Sequence, residues 1–331
     1  WTAGYLSYEA GYHLEPALAD PTGDKLETPL LNFGIFDAPL DERDFPDLIR
    51  PAPAGEARLG DFAPDWDFAT YEDRFDRLHR HLIQGDIYQA NLTFPIQARW
   101  EGEPLGLFDA LTARQPVRYG ACVELDGPAI VSRSPELFFR VDEEGFIETH
   151  PMKGTAPRRE DPAADALEVE LLRTSEKTLA ENRMIVDLLR NDISRISRTG
   201  TLHEPSLFEV ETYPTLHQMI SRVRARLLPD RSIRDIFSAL FPCGSITGAP
   251  KISAMRILRE LEETPRQAYC GAIGFIAPGG TMRFSVAIRT LSLFEDGRAT
   301  FNVGGGIVLD SDARAEYDEA LLKARFAGRP I

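Results

Sequence analysis

The chain has 331 residues, is 43% hydrophobic and 27% charged, and carries a formal net charge of -15; this suits one large domain or two around a sizeable core. The acidity argues against a nucleic-acid partner, which needs clustered lysine and arginine, but not against a small anion in a local positive pocket. Cys122, Cys243 and Cys270 are scattered without disulfide or zinc spacing, and no apolar run has the length of a membrane span or the form of a signal peptide, so a reducing, cytoplasmic setting without a membrane partner is expected.

Trp1 to Tyr12 is aromatic and β-prone, and the chain opens in mid-strand. The expectation is an N-terminally truncated domain lacking its first element. Leu30 to Phe36 reads as another strand, and residues 37 to 66, rich in Pro, Asp and Ala, as a surface excursion or linker. A helix is predicted from Asp67, with Tyr71, Phe75, Leu78 and Leu82 on one stripe and Gly85 as its stop. Asp86 to Phe94 then alternates: Tyr88, Ala90, Leu92 and Phe94 share one face, and Gln89, Asn91 and Thr93 the other. An amphipathic strand at a sheet surface explains that pattern. Leu105 to Ala113 reads as a short helix. Tyr119 to Leu125 and Ala129 to Arg133 read as a hairpin turning at Asp126-Gly127.

Two polar knots follow. Ser134-Pro135-Glu136 precedes the strand Leu137 to Phe139, and the strand Gly145 to Thr149 runs into His150-Pro151-Met152-Lys153-Gly154-Thr155. Pro151 is expected to end central pairing, and Gly154 to allow a turn or close approach. If the two strands pair, Glu136 and Lys153 are neighbours. A buried lysine can become a nucleophile and a buried carboxyl a general acid. On these residues alone, a structural ion pair at a loop rim is the simpler account.

Asp161-Pro162 opens a helix, and Ser175 caps another over Glu176 to Ile193. Thr215 to Leu227 reads as a strand and Arg231 to Phe241 as a helix capped by Ser232. Pro242 to Lys251 is a glycine-bearing loop feeding a helix, where an anion can meet free N–H groups; a simple capped turn serves as well. Tyr269 to Ile276, Met282 to Phe294 and Arg298 to Val308 read as an antiparallel meander. Gly304-Gly305-Gly306 interrupts its last strand, through a bulge or through close approach of a ligand. Glu316 and Glu319 share one face of a final helix capped by Asp312. Such carboxylates repel unless a hard divalent cation lies between them; a solvated acidic helix is the alternative.

Ser134-Pro135-Glu136 with Pro151-Met152-Lys153-Gly154-Thr155 resembles the chorismate-binding family of anthranilate, aminodeoxychorismate, isochorismate and salicylate synthases. Further matches are Gly85-Asp86-Ile87-Tyr88-Gln89, Ala180 to Asp192, Pro242 to Lys251, and Ala315-Glu316-Tyr317-Asp318-Glu319 with Lys323. The resemblance runs over roughly residues 66 to 327. It implies an α+β fold of large antiparallel sheets packed face to face with flanking helices. The whole chain would be one catalytic domain, with residues 1–66 a remnant of the N-terminal subdomain and 67–331 the catalytic core.

Lysine at position 153 is similar to the aminodeoxychorismate-forming branch, where anthranilate-forming members have alanine. Gln89 stands where water-adding members carry a lysine base. The implied reaction is amination of chorismate at C4, leading to para-aminobenzoate and folate, with Lys153 as nucleophile at C2 and Glu136 as acid. Thr155, Thr247, Gly248, Tyr269, Arg289, Gly304, Gly305, Gly306 and Lys323 are the implied substrate contacts. Glu181, Glu316 and Glu319 are the implied ligands of Mg2+. Ammonia would come from a separate glutamine amidotransferase subunit, since no cysteine here has a glutaminase context. Cys243 replaces a family glycine, and Gln218 a frequent histidine. An anthranilate-forming enzyme and a catalytically silent binding subunit are the alternatives.

Overall fold

The computed structural model describes residues 1–18, 26–41, 57–213 and 216–328. Two antiparallel sheets carry the fold. The first contains β1 (Thr2–Leu6), β2 (Leu31–Ile35), β7 (Leu137–Val141), β8 (Phe146–Thr149), β9 (Met152–Pro157), β10 (His203–Thr212), β11 (Leu216–Arg226), β13 (Ala272–Ile276) and β14 (Met282–Val286). Its order is β10-β11-β8-β7-β14-β13-β1-β2, with β9 also on β11. The second contains β3 (Arg58–Pro64), β4 (Gln89–Glu101), β5 (Tyr119–Val123), β6 (Ala129–Ser134), β12 (Gly248–Ala249), β15 (Thr290–Leu293) and β16 (Arg298–Ile307). Here the order is β12-β4-β16-β15-β6-β5, with β3 also on β4.

The helices are α1 (Ala10–Leu14), α2 (Phe68–Gln84), α3 (Pro104–Arg114), α4 (Pro162–Thr174), α5 (Glu176–Ser194), α6 (Ile233–Leu240), α7 (Lys251–Glu262) and α8 (Ala313–Ala324). Local chemistry sets their ends. Asp67 accepts a bond from Thr70 N at 2.8 Å to start α2, and Gly85 ends it with φ +78°. Ser232 and Asp235 form a reciprocal capping box on α6.

One core packs Phe139, Ile147, Val223 and Phe284 of the first sheet against Leu189, Ile193 and Phe237 of α5 and α6. Another packs Leu92, Phe94, Phe301 and Val303 of the second sheet against Tyr71, Leu258 and Tyr317 of α2, α7 and α8. A smaller cluster, Tyr5, Ile130, Ile273 and Ala287, joins the two sheets. Helices therefore flank a pair of facing sheets, the α+β arrangement expected.

Several elements differ from expectation. The run Met282 to Phe294 is not one strand: β14 lies in the first sheet and β15 in the second, and the chain crosses between them at 287–289. The Ala287 carbonyl accepts from Cys270 N and the Arg289 carbonyl from Arg133 N, which holds the crossing. Gly304 to Gly306 do not interrupt β16; they pair in register with Thr93, Leu92 and Asn91 of β4. Strand β4 is not a surface strand, since Gln89 and Thr93 are each only 1% exposed. Its polar side meets Glu262, which accepts from both the Thr93 N–H and its hydroxyl. Tyr88 falls before the strand and is exposed.

Pro151 does not end pairing either. Beyond it, β9 continues on the same neighbour, β11, so Lys153 lies on a strand and not in a loop. The two strands whose pairing would bring Glu136 and Lys153 together, β7 and β8, do pair, Arg140 with Glu148 and Val141 with Ile147, while β9 itself lies on β11. Residues 58–64 of the expected excursion form β3, while positions 42–56 lie outside the described residues, as does Thr215. Among the described residues no helix is long and apolar enough to cross a membrane.

Candidate active site

Lys153 is anchored by its neighbours on β9. Gly154 has φ +92°, and a Cβ there would stand 2.2 Å from Thr178 Cγ2 on α5, so glycine is required twice over. Gln218 Nε2 donates to the Gly154 carbonyl at 2.7 Å, and Thr155 Oγ1 donates to Gln218 Oε1 at 3.1 Å. The amide at 218 thus holds the lysine strand by both ends, at the position where a histidine is frequent in the family.

Burial is the largest influence on the Lys153 ammonium and lowers its pKa. Glu181 opposes this, Lys323 adds to it, and Glu136 and Glu319 oppose it more weakly. These four side chains therefore act on one nitrogen, from α5, α8 and the segment before β7. Glu136 is 5% exposed, and burial raises its pKa to about 7 against the lowering effects of Ser245 and Lys153. Its Oε1 accepts from Ser245 Oγ at 2.7 Å. A lysine biased toward the free amine beside a carboxyl biased toward the acid is the pairing that nucleophilic displacement with acid assistance needs.

The glycines of β16 make room for this pair. A Cβ on Gly306 would stand 2.9 Å from Lys153 Nζ and 2.5 Å from Gln89 Nε2. On Gly305 it would stand 3.2 Å from Glu316 Oε2 and 3.5 Å from Lys323 Nζ. On Gly304 it would instead strike the Leu92 carbonyl at 2.1 Å, so that glycine serves sheet packing. Both amide atoms of Gln89 are buried without a partner. An unsatisfied buried amide costs roughly 1–3 kcal/mol, and a water or a ligand beside Lys153 would supply the missing partners.

Arg289 lies at the crossing between sheets with φ +52°. Burial alone lowers its pKa, and no carboxylate pairs with it among the described residues. It lines a cleft with Gln115, Pro135, Met152, Leu216 and Gln218. A desolvated, unpaired guanidinium is suited to a bidentate carboxylate. A larger cavity of about 430 Å³ opens beside β5, lined by Phe36, Tyr119, Phe275 and Arg283. Lys153 does not line it, and the unpaired cation and polar groups converge on the smaller cleft and the Lys153 strand.

The acidic helix α8 presents Glu316 and Glu319. Burial raises the Glu316 pKa; a bond from Ser311 Oγ at 2.7 Å lowers it, and the Glu319 charge raises it. Burial acts upward on Glu319 too, but Lys323 at 2.9 Å, with Lys153 and Lys177, brings it down. Lys323 also donates to the Gly304 carbonyl at 3.0 Å. Among the described residues no group of three acidic, imidazole or thiol side chains is placed to hold a metal ion, so Glu181, Glu316 and Glu319 do not converge as a three-ligand set. Magnesium takes one or two carboxylates and keeps waters, and Glu316 and Glu319 are hard oxygen donors of that kind; Glu181 is connected to them through its charge effect on Lys153.

Other expected contacts are placed differently. The Thr247 hydroxyl turns back on its own loop, to the Cys243 carbonyl at 3.1 Å. Gly248 packs on β4, where a Cβ would meet the Gln89 carbonyl at 2.3 Å. Tyr269 is buried in the first core, with Cys270, Arg266 and Glu262 as its charged and polar neighbours. Lys251 donates to Asp192 at 2.6 Å and to the Leu240 carbonyl, tying the loop to α5 and α6. Ser245 and the Gln218 brace are the contributions that motif reading missed, although Ser245 lies within the glycine-bearing stretch that the motif covers.

Residues 1–329 match the chorismate binding enzyme family model, and the chain belongs to that family. Among its relatives, the aminodeoxychorismate synthase component 1 of Klebsiella aerogenes is 43% identical over 253 residues, covering 76% of this chain and 56% of the relative. The protein of the same name from Escherichia coli K12 is 42% identical over 253 residues, covering 76% and 55%. Anthranilate synthase component I from Streptococcus pneumoniae TIGR4 superposes with a TM-score of 0.83 at 30% identity, over 98% of this chain and 79% of that one. The chain spans about half the length of the curated relatives it matches.

Proposed function

We propose that this chain converts chorismate and ammonia to 4-amino-4-deoxychorismate, as component I of an aminodeoxychorismate synthase. The observation that carries the reading is the half-buried, desolvated Lys153 ammonium beside Gly306 and the unpartnered Gln89 amide, with the charge of Glu136 acting on it. Lys153 Nζ attacks ring carbon C2 as the free amine. Both ring double bonds shift, C1=C2 to C1=C6 and C5=C6 to C4=C5, and the C4 hydroxyl leaves as water with the proton of Glu136. Ammonia then adds at C4, both double bonds shift back, the lysine departs as the free amine, and the new C4 ammonium returns a proton to Glu136. Arg289 takes a substrate carboxylate in its cleft. Gln89 supplies an amide donor and acceptor but no base, which disfavours water as the nucleophile. Gln218, where a histidine is frequent, is committed to Gly154 and Thr155, so its part in this reading is to hold the Lys153 strand.

Glu316 and Glu319, with Glu181, would hold Mg2+, which neutralises the ring carboxylate when bound. Glu316→Gln is expected to weaken magnesium dependence and turnover together while circular dichroism stays unchanged. Unaltered turnover at limiting magnesium would remove Glu316 from that role. A glutamine amidotransferase subunit would supply the ammonia, in a cytoplasmic setting.

Product identity tests the function. With chorismate, ammonia and magnesium, the purified chain should release aminodeoxychorismate, with no anthranilate fluorescence and no stoichiometric pyruvate until a lyase is added. Anthranilate or salicylate as the main product would overturn the reading of Lys153 and the function with it.

A further inference from the structure

We propose that Cys243 and Ser245 form a hydrogen-bond relay that orients the Glu136 carboxyl and keeps its proton on Oε2, the oxygen turned away from the 243–245 turn. The proposal rests on Glu136 being the acid of the reaction above. A serine hydroxyl has one proton, and Ser245 gives it to Glu136 Oε1 at 2.7 Å. The 3.2 Å contact between Cys243 Sγ and Ser245 Oγ must then have the thiol as donor. Burial pushes the Cys243 thiol up to about 12, so it remains an S–H donor.

Both ends of the relay are held. The Glu136 N–H donates to Ser134 Oγ, and its carbonyl accepts from Val286 N at 3.1 Å, which fixes the direction of the side chain. On the other side, the Ile246 carbonyl accepts from Arg266 Nη1 at 2.9 Å and the Cys243 carbonyl accepts from Thr247 Oγ1. Cys243 has φ -56°, an ordinary value, so the turn carries a side chain where the family has glycine. The thiol is thus an added donor behind Ser245. Lys153 on β9 and the Cys243 thiol are the titratable groups that act on Glu136.

Infrared difference titration of the intact chain without substrate tests this, since it reads the Glu136 carboxyl without turnover. The protonated C=O band is assigned by its loss in Glu136→Gln. In Ser245→Ala the band should move to higher frequency, because Oε1 loses its donor. The midpoint should rise by on the order of one pH unit, because a donor to a carboxylate favours the ionised form. Cys243→Ala should move both readings the same way by less, and Cys243→Ser should restore them. The two Cys243 variants decide the matter if Ser245→Ala fails to fold. Unchanged band and midpoint in Cys243→Ala would overturn the relay. Chorismate turnover in Glu136→Gln is the separate check on the acid role: full activity there would refute that role, while the titration still judges the relay.

Discussion

Lys153→Ala is expected to abolish the covalent adduct and to lower product formation by several orders of magnitude, the effect of losing a nucleophile held in place beside the substrate. With chorismate present and ammonia withheld, rapid quench and intact mass should show the wild-type chain heavier by chorismate less one water. Peptide digestion should place the addition on Lys153. The pH dependence follows from the two groups. Glu136 must be protonated, so turnover at fixed free ammonia falls as pH rises through about 7. Lys153 must be unprotonated, so turnover also falls on the acid side, through a lysine pKa that burial has lowered. An adduct on another residue, or none on any timescale, would favour direct attack by ammonia with Lys153 as a fixed charge.

Gly306→Ala should cost about 10²-fold or more in kcat, because a misplacement of the nucleophile near 1 Å has effects of that size. The added methyl would meet Lys153 Nζ and Gln89 Nε2, the tips of two side chains, so the strand itself has little to absorb. Thermal unfolding should therefore stay close to wild type. Gly304→Ala is the counterpart: its methyl would press on the Leu92 carbonyl of the paired strand, so the melting temperature falls along with activity. Wild-type turnover by Gly306→Ala would dissolve the link between that glycine and the lysine.

Much of the local structure was legible in the sequence because its causes are local. The α2 helix announces itself through Asp67, its apolar stripe and Gly85, and the β5–β6 hairpin through Asp126-Gly127. The motifs brought Lys153, Glu136 and Glu181 forward, and the structure sets their charges around one another. The partition of strands between sheets was not legible. Alternation runs on through Ala287 to Arg289, and the crossing is held by bonds from Cys270 and Arg133, which are distant in sequence. Periodicity likewise shows that the two faces of β4 differ without saying what covers the polar one. Glu262 and Arg266 do so, through Thr93 and the Asn91 carbonyl. The vacant hydrogen-bonding capacity of Gln89 emerges only from that enclosure.

The pairing of Ala90 with Ile307 also bears on synthesis. Strand β4, next to the edge of the second sheet, meets its long partner β16 only after most of the remaining chain has been made. At 5–20 residues per second, that interval is roughly 10–40 s. During it, β4 has only β3, α2 and, later, α7 with β12 to shield its backbone. Such remote pairing makes folding slow and leaves a nascent strand open to wrong partners. Gln89, Asn91 and Thr93 interrupt what would otherwise be an adhesive apolar run. The same alternation that sets Gln89 beside Lys153 in the finished fold keeps the waiting strand from presenting a continuous apolar run.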